Sequence, residues 1–424
     1  MSTTRRERLV ELRRELHRYP EPSWQEFWTT ARIVEELESI GVDELYVGRD
    51  ALTDERMAVP DEESLEEWYE RAHEAGADPE ILERLDGGWT GCVAVIERGD
   101  GPVVGLRVDI DALPLKESTD DSHLPTAEGF RSETGAMHAC GHDAHATIGI
   151  GVIEAVLESE FAGTLKVFFQ PAEEVIGGGK AMAESEHLDD VEYLFALHVG
   201  LDHPTGEVVA GVDGILAVTQ FRATFEGYPS HAGARPETGR NAVQAMATAV
   251  QNLYAISRHS GGASRVNAGK VGGGSATNII ADEAFIHGEA RGETTAVCDF
   301  TFDRAKTVFE NAAEMHDCEV DVDVESEAPS AESDEALVDI VQDVSQAHPD
   351  VTRATRRGDL GGSEDATFLM QRVQDNGGLA TYVGVGTDHP GGHHTSTFDV
   401  DESSLGIGVD VLTDAIVETS RQAP

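Results

Sequence analysis

Within Gly135-Ala-Met-His-Ala-Cys-Gly-His-Asp-Ala-His, four side chains able to bind a transition metal fall inside eight residues: His138, Cys140, His142 and His145. Cys140 and His142 stand two apart, so an extended loop points both the same way, and Gly141 between them lets the backbone turn around an ion. Thiolate and imidazole together favour a transition metal over magnesium or calcium. A lone Cys or His is ordinarily a packed core residue; four such residues this close together argue for a site. Gln170-Pro-Ala-Glu-Glu adds two adjacent carboxylates, Glu173 and Glu174. One can hold a metal while the other serves as general base toward an attacking water. His198 closes the apolar stretch Leu194-Phe-Ala-Leu-His-Val, where a satisfied core histidine is the alternative, and Gly391-Gly-His-His-Thr-Ser-Thr-Phe offers further imidazoles in a polar, Gly-rich loop. Asp111, in Asp109-Ile-Asp-Ala-Leu-Pro, is placed to hydrogen-bond a ligand histidine and fix its tautomer, or else to cap a turn.

The elements that must position these residues follow from apolar patterning. Val93–Ile96, Val103–Val108, Leu165–Phe169 and Leu194–Val199 are short apolar runs expected as strands buried on both faces. Ala144–Leu157 and Leu337–Gln346 carry helical spacing. Leu9, Leu12 and Leu16 share one face of a first helix, for which Thr4 and Glu7 suggest a capping box and Pro20 a stop, and a second helix follows Glu26. This alternation predicts an α/β fold with a mixed, mostly parallel sheet and helices on both faces, and places ligand chemistry at the carboxyl ends of its strands. Residues 44–90 form an acidic segment with one or two surface helices, expected as an insertion. From 217 to 330 the texture changes to alternating strands, a helix over 241–254, a Gly-rich hairpin and a helix near 304–313. The expected organisation is a catalytic domain in two parts, 1–216 and 331–424, interrupted by a smaller α/β sandwich at 217–330.

Composition bounds the partners. The 424 residues include 80 acidic against 31 basic ones, a formal charge of -49. Nucleic-acid binding is disfavoured by that balance. Lysine is confined to Lys116, Lys166, Lys180, Lys270 and Lys306, and the acid is spread along the chain, a surface expected of a salt-adapted, halophilic protein. With no long apolar run and no signal-like stretch at Met1-Ser-Thr-Thr-Arg-Arg-Glu, the expectation is a cytoplasmic protein without membrane contact. Cys92, Cys298 and Cys318 are then small buried residues rather than disulfide partners.

Taken together, Arg107-Val-Asp-Ile-Asp-Ala-Leu-Pro, Met137-His-Ala-Cys-Gly-His-Asp, Phe169-Gln-Pro-Ala-Glu-Glu, Ser230-His-Ala-Gly and His394 before Phe398-Asp-Val-Asp-Glu resemble the M20 metallopeptidase superfamily, in its aminoacylase-like amidohydrolase branch. Val47-Gly-Arg-Asp, Gly87-Gly-Trp-Thr-Gly, Gly262-Ala-Ser-Arg-Val-Asn, Gly362-Ser-Glu-Asp-Ala-Thr, Gly391-Gly-His-His and the acidic 44–90 segment narrow the resemblance to the subfamily of p-aminobenzoyl-glutamate hydrolase A subunits, and away from plain indoleacetyl-amino-acid hydrolases.

The resemblance implies two divalent ions, Mn2+ or Zn2+, held by Cys140, His142, Glu174, His198 and His394, the last preferred over His393 because it lies four residues before Phe398. It implies Glu173 as general base, Asp111 as partner of a ligand histidine, and His231 as the group that reaches the scissile carbonyl, often from the other protomer of a dimer. Asn278 and Arg291 are implied substrate-carboxylate binders, the arginine by its bidentate fork. Ala281 stands where many relatives carry Pro. The implied activity is release of an amino acid such as glutamate from p-aminobenzoyl-glutamate or a related N-acyl amino acid or dipeptide. The alternatives are a broad, indoleacetyl-like N-acyl-amino-acid amidohydrolase and a catalytically silent ligand-binding subunit. The 217–330 domain is implied to act as a lid and to dimerise, with an identical or a related subunit.

Overall fold

The structure, a computed structural model, describes residues 3–423. Along the chain, α1 (Thr3–Arg18) and α2 (Phe27–Ile40) lead to the short strand β1 (Glu44–Val47), the acidic helices α3 (Glu62–Glu74) and α4 (Pro79–Leu85), and the strands β2 (Cys92–Glu97) and β3 (Val103–Asp109). Then come α5 (Leu124–Glu128), α6 (His142–Leu157), β4 (Thr164–Gln170), α7 (Gly179–Ala183), β5 (Tyr193–Val199) and β6 (Glu207–Asp213). A second group follows: β7 (Ala217–Glu226), α8 (Ala242–Leu253), β8 (Ser264–Gly273), β9 (Glu283–Gly292), α9 (Thr295–Met315) and β10 (Glu319–Ala328). The chain closes with α10 (Glu335–Ala347), β11 (Arg353–Asp359), α11 (Ala366–Asp375), β12 (Leu379–Val385) and α12 (Ser403–Gln422). Two compact units result. The first comprises the chain up to Asp213, Glu332–Leu360 and everything from Glu364 onward; the second comprises Gly214–Ala331 with Gly361–Ser363.

The first unit is built on an eight-stranded sheet of order β1-β2-β4-β3-β5-β12-β6-β11. The central strands β4, β3, β5 and β12 run parallel, while β2 is antiparallel to both its neighbours and β6 is antiparallel to β12. Side chains alternate across it, as a pleated strand requires. Val167, Phe169, Phe195, Leu197, Val383 and Val385 join a core with α1, α6 and α12. The opposite face is covered by α11 over β5 and β12 and by α7 over β4, and the two helices pack on each other. Helix α6 is apolar nearly all round and correspondingly buried over most of its length.

Two sequence expectations are corrected. The backbone is already helical at Thr3, so Thr4 lies inside α1 and cannot be its N-cap, and the Thr4–Glu7 capping box does not form. The 44–90 segment is not wholly an insertion, because Glu44–Val47 pairs antiparallel with β2 and extends the sheet. Only α3 and α4 stand as added surface helices. Each has the cap its sequence allows: Asp61 accepts from the Ser64 N–H and Asp78 from the Glu80 N–H, with Pro79 opening α4.

The second unit is a four-stranded antiparallel sheet of order β10-β7-β9-β8. One face carries Phe221, Phe225, Ile286 and Ala290, packed with Ala249, Leu253, Phe302 and Phe309 of the two helices. The other face presents Arg222, His287, Glu289 and Arg291, all partly exposed. Among the described residues no helix is long and apolar enough to cross a membrane.

Candidate metal centre

The parallel core of the first sheet delivers its chemistry at one end. Asp109 ends β3 and Asp111 follows it, Glu173 and Glu174 follow β4, His198 is the penultimate residue of β5, and the loop after β12 supplies His393 and His394. Cys140 and His142 come from the turn into α6, where Gly141 adopts φ +88° and a Cβ would meet Val199 at 2.6 Å. Only glycine fits that turn. A buried polar cluster locks the same turn from behind: His17 sits between Asp143 at 2.8 Å and Glu117 at 2.9 Å, and Arg13 pairs with Asp143 at 2.8 Å. Burial and Arg13 pull His17 down, but the two carboxylates prevail and raise its pKa to about 9.

Hydrogen-bond bookkeeping at the imidazoles decides which nitrogen is free. The Nδ1–H of His142 donates to Asp111 at 3.1 Å, leaving Nε2 buried without a partner. The Nδ1–H of His198 donates to the Val199 carbonyl at 2.7 Å, so its Nε2 lone pair faces Cys140 Sγ at 3.4 Å. These are the tautomers a metal-binding histidine needs. Asp111 also accepts from the Ser23 hydroxyl at 2.7 Å and from the Glu174 N–H at 3.0 Å, and thus orients His142 and the Glu174 backbone together. His394 is anchored by its N–H to the Ala139 carbonyl at 2.9 Å and places Nε2 3.5 Å from Glu174. Among the described residues five donor groups form around this end of the sheet, and two of them, Cys140–His142–His198 and Cys140–Glu174–His394, share Cys140.

Of the four residues in the 138–145 cluster, two stand outside the groups that share Cys140. His145 accepts the Val199 N–H on Nε2 at 2.8 Å and bonds Asp109 through Nδ1, so both nitrogens are used. His138 belongs to no donor group, although both its ring nitrogens are buried without a partner, and burial pushes its pKa down to about 4. Asp109 is likewise committed, to His145 and to Arg107 Nη1 at 2.7 Å.

The electrostatics fit a missing cation. Burial, then the Glu364 and Glu174 charges, raise Glu173 well above the carboxylate range. Burial raises Glu174 to about 8, and Glu364 to about 7 despite Arg107. Burial and Glu174 push the Cys140 thiol up to about 12. Glu173, Glu174, Glu364 and Cys140 are thus short of positive charge, and His142 Nε2 and Glu174 Oε1 are buried without a partner. Divalent cations among these donors reverse those shifts. Sulfur, imidazole and carboxylate are a transition-metal donor set.

Two participants escaped the sequence reading. Glu364 is fully buried, with Oε1 3.9 Å from His198 Nε2 and Oε2 3.8 Å from Arg107, and lies within reach of Glu173. Its Ser-Glu-Asp context was the available signal. His393 contacts Cys140 Sγ through Nδ1 at 3.4 Å, closer to the sulfur than a flexible loop suggested.

In the second unit, His231 Nδ1 accepts from the Gly233 and Ala234 N–H groups, both at 3.1 Å, which leaves the proton on Nε2. His231 bridges to Ile279, and the Asn278 carbonyl accepts the Ala232 N–H at 2.9 Å, so His231 and Asn278 share one turn region. Arg291 is paired: Nε and Nη2 donate to the two Glu289 oxygens at 3.0 and 3.1 Å, and Nη1 to the Ser363 hydroxyl at 3.1 Å.

Comparison with known proteins gives a consistent picture. Residues 105–418 match the profile of peptidase family M20/M25/M40. The chain is 42% identical over 410 residues to an indole-3-acetyl-aspartic acid hydrolase of Enterobacter agglomerans, covering 95% of this chain and 94% of that one. It is 41% identical over 411 residues to the A subunit of p-aminobenzoyl-glutamate hydrolase from Escherichia coli K12, with 96% and 94% covered. The crystal structure of an aminobenzoyl-glutamate utilization protein from Klebsiella pneumoniae superposes with a TM-score of 0.84 at 34% identity, covering 99% of this chain and 97% of that one. Because the indole-3-acetyl-aspartic acid relative aligns over nearly the whole chain, the acidic 44–90 segment does not divide the two activities. The chain belongs to peptidase family M20/M25/M40 and is a metal-dependent amidohydrolase.

Proposed function

We propose that the protein hydrolyses the amide bond between an aromatic acyl group and an acidic amino acid, with p-aminobenzoyl-glutamate as the leading substrate. The carrying observation is the pair of donor groups sharing Cys140 beside the buried Glu173. The substrate class rests on the relatives. One is named for indole-3-acetyl-aspartic acid and the other for p-aminobenzoyl-glutamate, and both names join an aromatic acyl part to a dicarboxylic amino acid. The near-equal identities keep indole-3-acetyl-aspartate as the second reading.

In this reading Cys140, His142, Glu174, His198 and His394 hold two ions. When bound, these supply Lewis acidity toward the scissile carbonyl and acidify the attacking water. Zinc suits the thiolate by softness and manganese the carboxylate. Glu173 takes the proton from the water as the oxygen attacks the amide carbon, then returns it to the nitrogen as the C–N bond breaks. Burial suits it to both tasks by keeping it a stronger base than an exposed carboxylate. Asp111 holds the His142 tautomer. From the second unit, the Nε2–H of His231 is a donor for the developing oxyanion, and Asn278 and the Nη1 edge of Arg291 are candidates for a substrate carboxylate. That unit is proposed to serve as lid and dimer contact, with an identical copy or a related second subunit. The free, buried cysteines suit a reducing cytoplasm, and the -49 charge suits high salt.

The test is an assay of metal-reconstituted protein in high salt against p-aminobenzoyl-glutamate, indole-3-acetyl-aspartate and simple acetyl-amino acids. Preference for the two aromatic, acidic substrates is expected. Equal turnover of acetyl-amino acids would replace this reading with a broad acylase, and no turnover of any by folded, metal-loaded protein would leave a catalytically silent ligand-binding chain.

A further inference from the structure

Four imidazoles lie near the Cys140 sulfur, those of His142, His198, His393 and His394, and they do not all face it in the same way. His142 and His198 each spend Nδ1–H on a neighbouring oxygen and leave an Nε2 lone pair in the donor group they share with Cys140. His393 is reversed. Its Nε2 accepts the Leu201 N–H at 3.1 Å, and a backbone N–H can only donate, so that nitrogen carries the lone pair. The proton is therefore on Nδ1, which points at Cys140 Sγ from 3.4 Å.

The setting that enforces this tautomer is built into the fold. Gly200, Leu201 and Asp202 are three consecutive residues with positive φ, at +85°, +51° and +61°. This conformation is uncommon outside glycine, and here it presents the Leu201 N–H to the ring. A Cβ on Gly200 would lie 2.6 Å from His393 Nε2, so the glycine is required by the ring's close approach. The ring is further held against Phe398 and His389, each with its centroid 4.8 Å away.

We infer that His393 is a positioning residue that donates a hydrogen bond from Nδ1 to the Cys140 thiolate and thereby sets the sulfur's donor strength toward both ions, without itself being a ligand. The inference rests on the proposed role of Cys140 as the shared ligand. A thiolate serving two cations must divide its electron density between them. An N–H donor on a further lone pair fixes its orientation and withdraws density, as partners of metal ligands commonly do.

Cobalt(II) substitution reads this directly, because a thiolate bound to cobalt gives a near-ultraviolet sulfur-to-metal charge-transfer band. Removing a hydrogen bond from the sulfur raises its lone-pair energy and moves that band to longer wavelength. The experiment compares the full-length wild type with His393→Leu, His393→Asn, His394→Leu and Cys140→Ser, measuring the band and the bound cobalt per chain. The expected result is a band shifted to longer wavelength in His393→Leu with cobalt stoichiometry unchanged. In His393→Asn, whose amide can donate near the Nδ1 position, the band returns toward the wild-type wavelength. A wild-type band in His393→Leu at full stoichiometry overturns the inference. So does loss of one cobalt from His393→Leu while His394→Leu keeps both, since His393 would then be a ligand. Should His393→Leu fail to fold, a His393→Asn protein lacking one cobalt overturns it equally. Failure of the underlying reading looks different: the wild type shows no sulfur band, or Cys140→Ser retains it.

Discussion

The two units hold reactive side chains in opposite states of preparation. In the first, Cys140, His142, His198 and Glu173 are buried, and His142 and His198 already have their tautomers set by oxygen partners. In the second, His231 is exposed and Arg291 is half-exposed, and their hydrogen bonds are local: His231 to its own turn, Arg291 to Glu289 two residues away. In the proposed reaction the metal donors and Glu173 are set in place within the interior, whereas His231 and Arg291 stand at the surface on short restraints. The comparison predicts that damage to the first unit removes chemistry outright, while damage to the second is graded.

The largest effect is expected at Glu173. Glu173→Gln should retain its metals, as measured by metal analysis after gel filtration, and lose roughly 10^2–10^4-fold or more in kcat, the usual weight of a general base. Turnover within tenfold of wild type would remove Glu173 from that role. His231→Ala should cost about 10^2–10^3-fold in kcat, as loss of one oxyanion donor does, with metal content unchanged. If only KM rises, His231 binds substrate instead of stabilising charge.

The smallest effect concerns pH and separates the units without any substrate. In metal-free protein Glu174 is raised from 4.5 to about 8, and Glu173 and Glu364 shift the same way. Folded protein then binds more protons than unfolded protein across that window, so stability is fullest below about pH 4.5 and declines as pH rises through 8. His138, His198 and His393, held below the imidazole value of 6.5 chiefly by burial, oppose this trend up to about that pH. Thermal melts after chelation should therefore show Tm falling from about pH 6.5 to pH 8, by an amount on the order of one or two kcal/mol in stability. Saturating zinc or manganese should flatten the trend. An equal slope with and without metal would mean that these carboxylates are not where the cations sit.

Much of this site was legible in the sequence because its residues are local. Cys140-Gly-His and Glu173-Glu174 declare themselves by spacing and by position after an apolar strand. Less visible were relations made only by folding. Nothing near His145 reveals that the Val199 N–H, 54 residues on, occupies its nitrogen. His393 and His394 are adjacent in a Gly-rich loop, and only the backbone of Gly200–Asp202 and the Ala139 carbonyl give them different neighbours. Strands β6, β11 and β12 were not marked in advance, although Leu379–Val385 is an apolar run. The antiparallel turn of β6 against β12 depends on long-range pairing that no local pattern encodes. The capping box at Thr4 failed for the opposite reason, since a valid local motif was overridden by a helix that begins earlier.

Arg107 gives the centre a counter-charge as well as a geometry. Fully buried within β3, it is bonded to Asp109 and Gln170, and paired with Asp365 at 3.2 Å and Glu364 at 3.8 Å. A permanent cation of the chain's own thus lies among the inner carboxylates of the sheet end, so Asp109, Asp365 and Glu364 keep a counter-charge whether or not metal is bound.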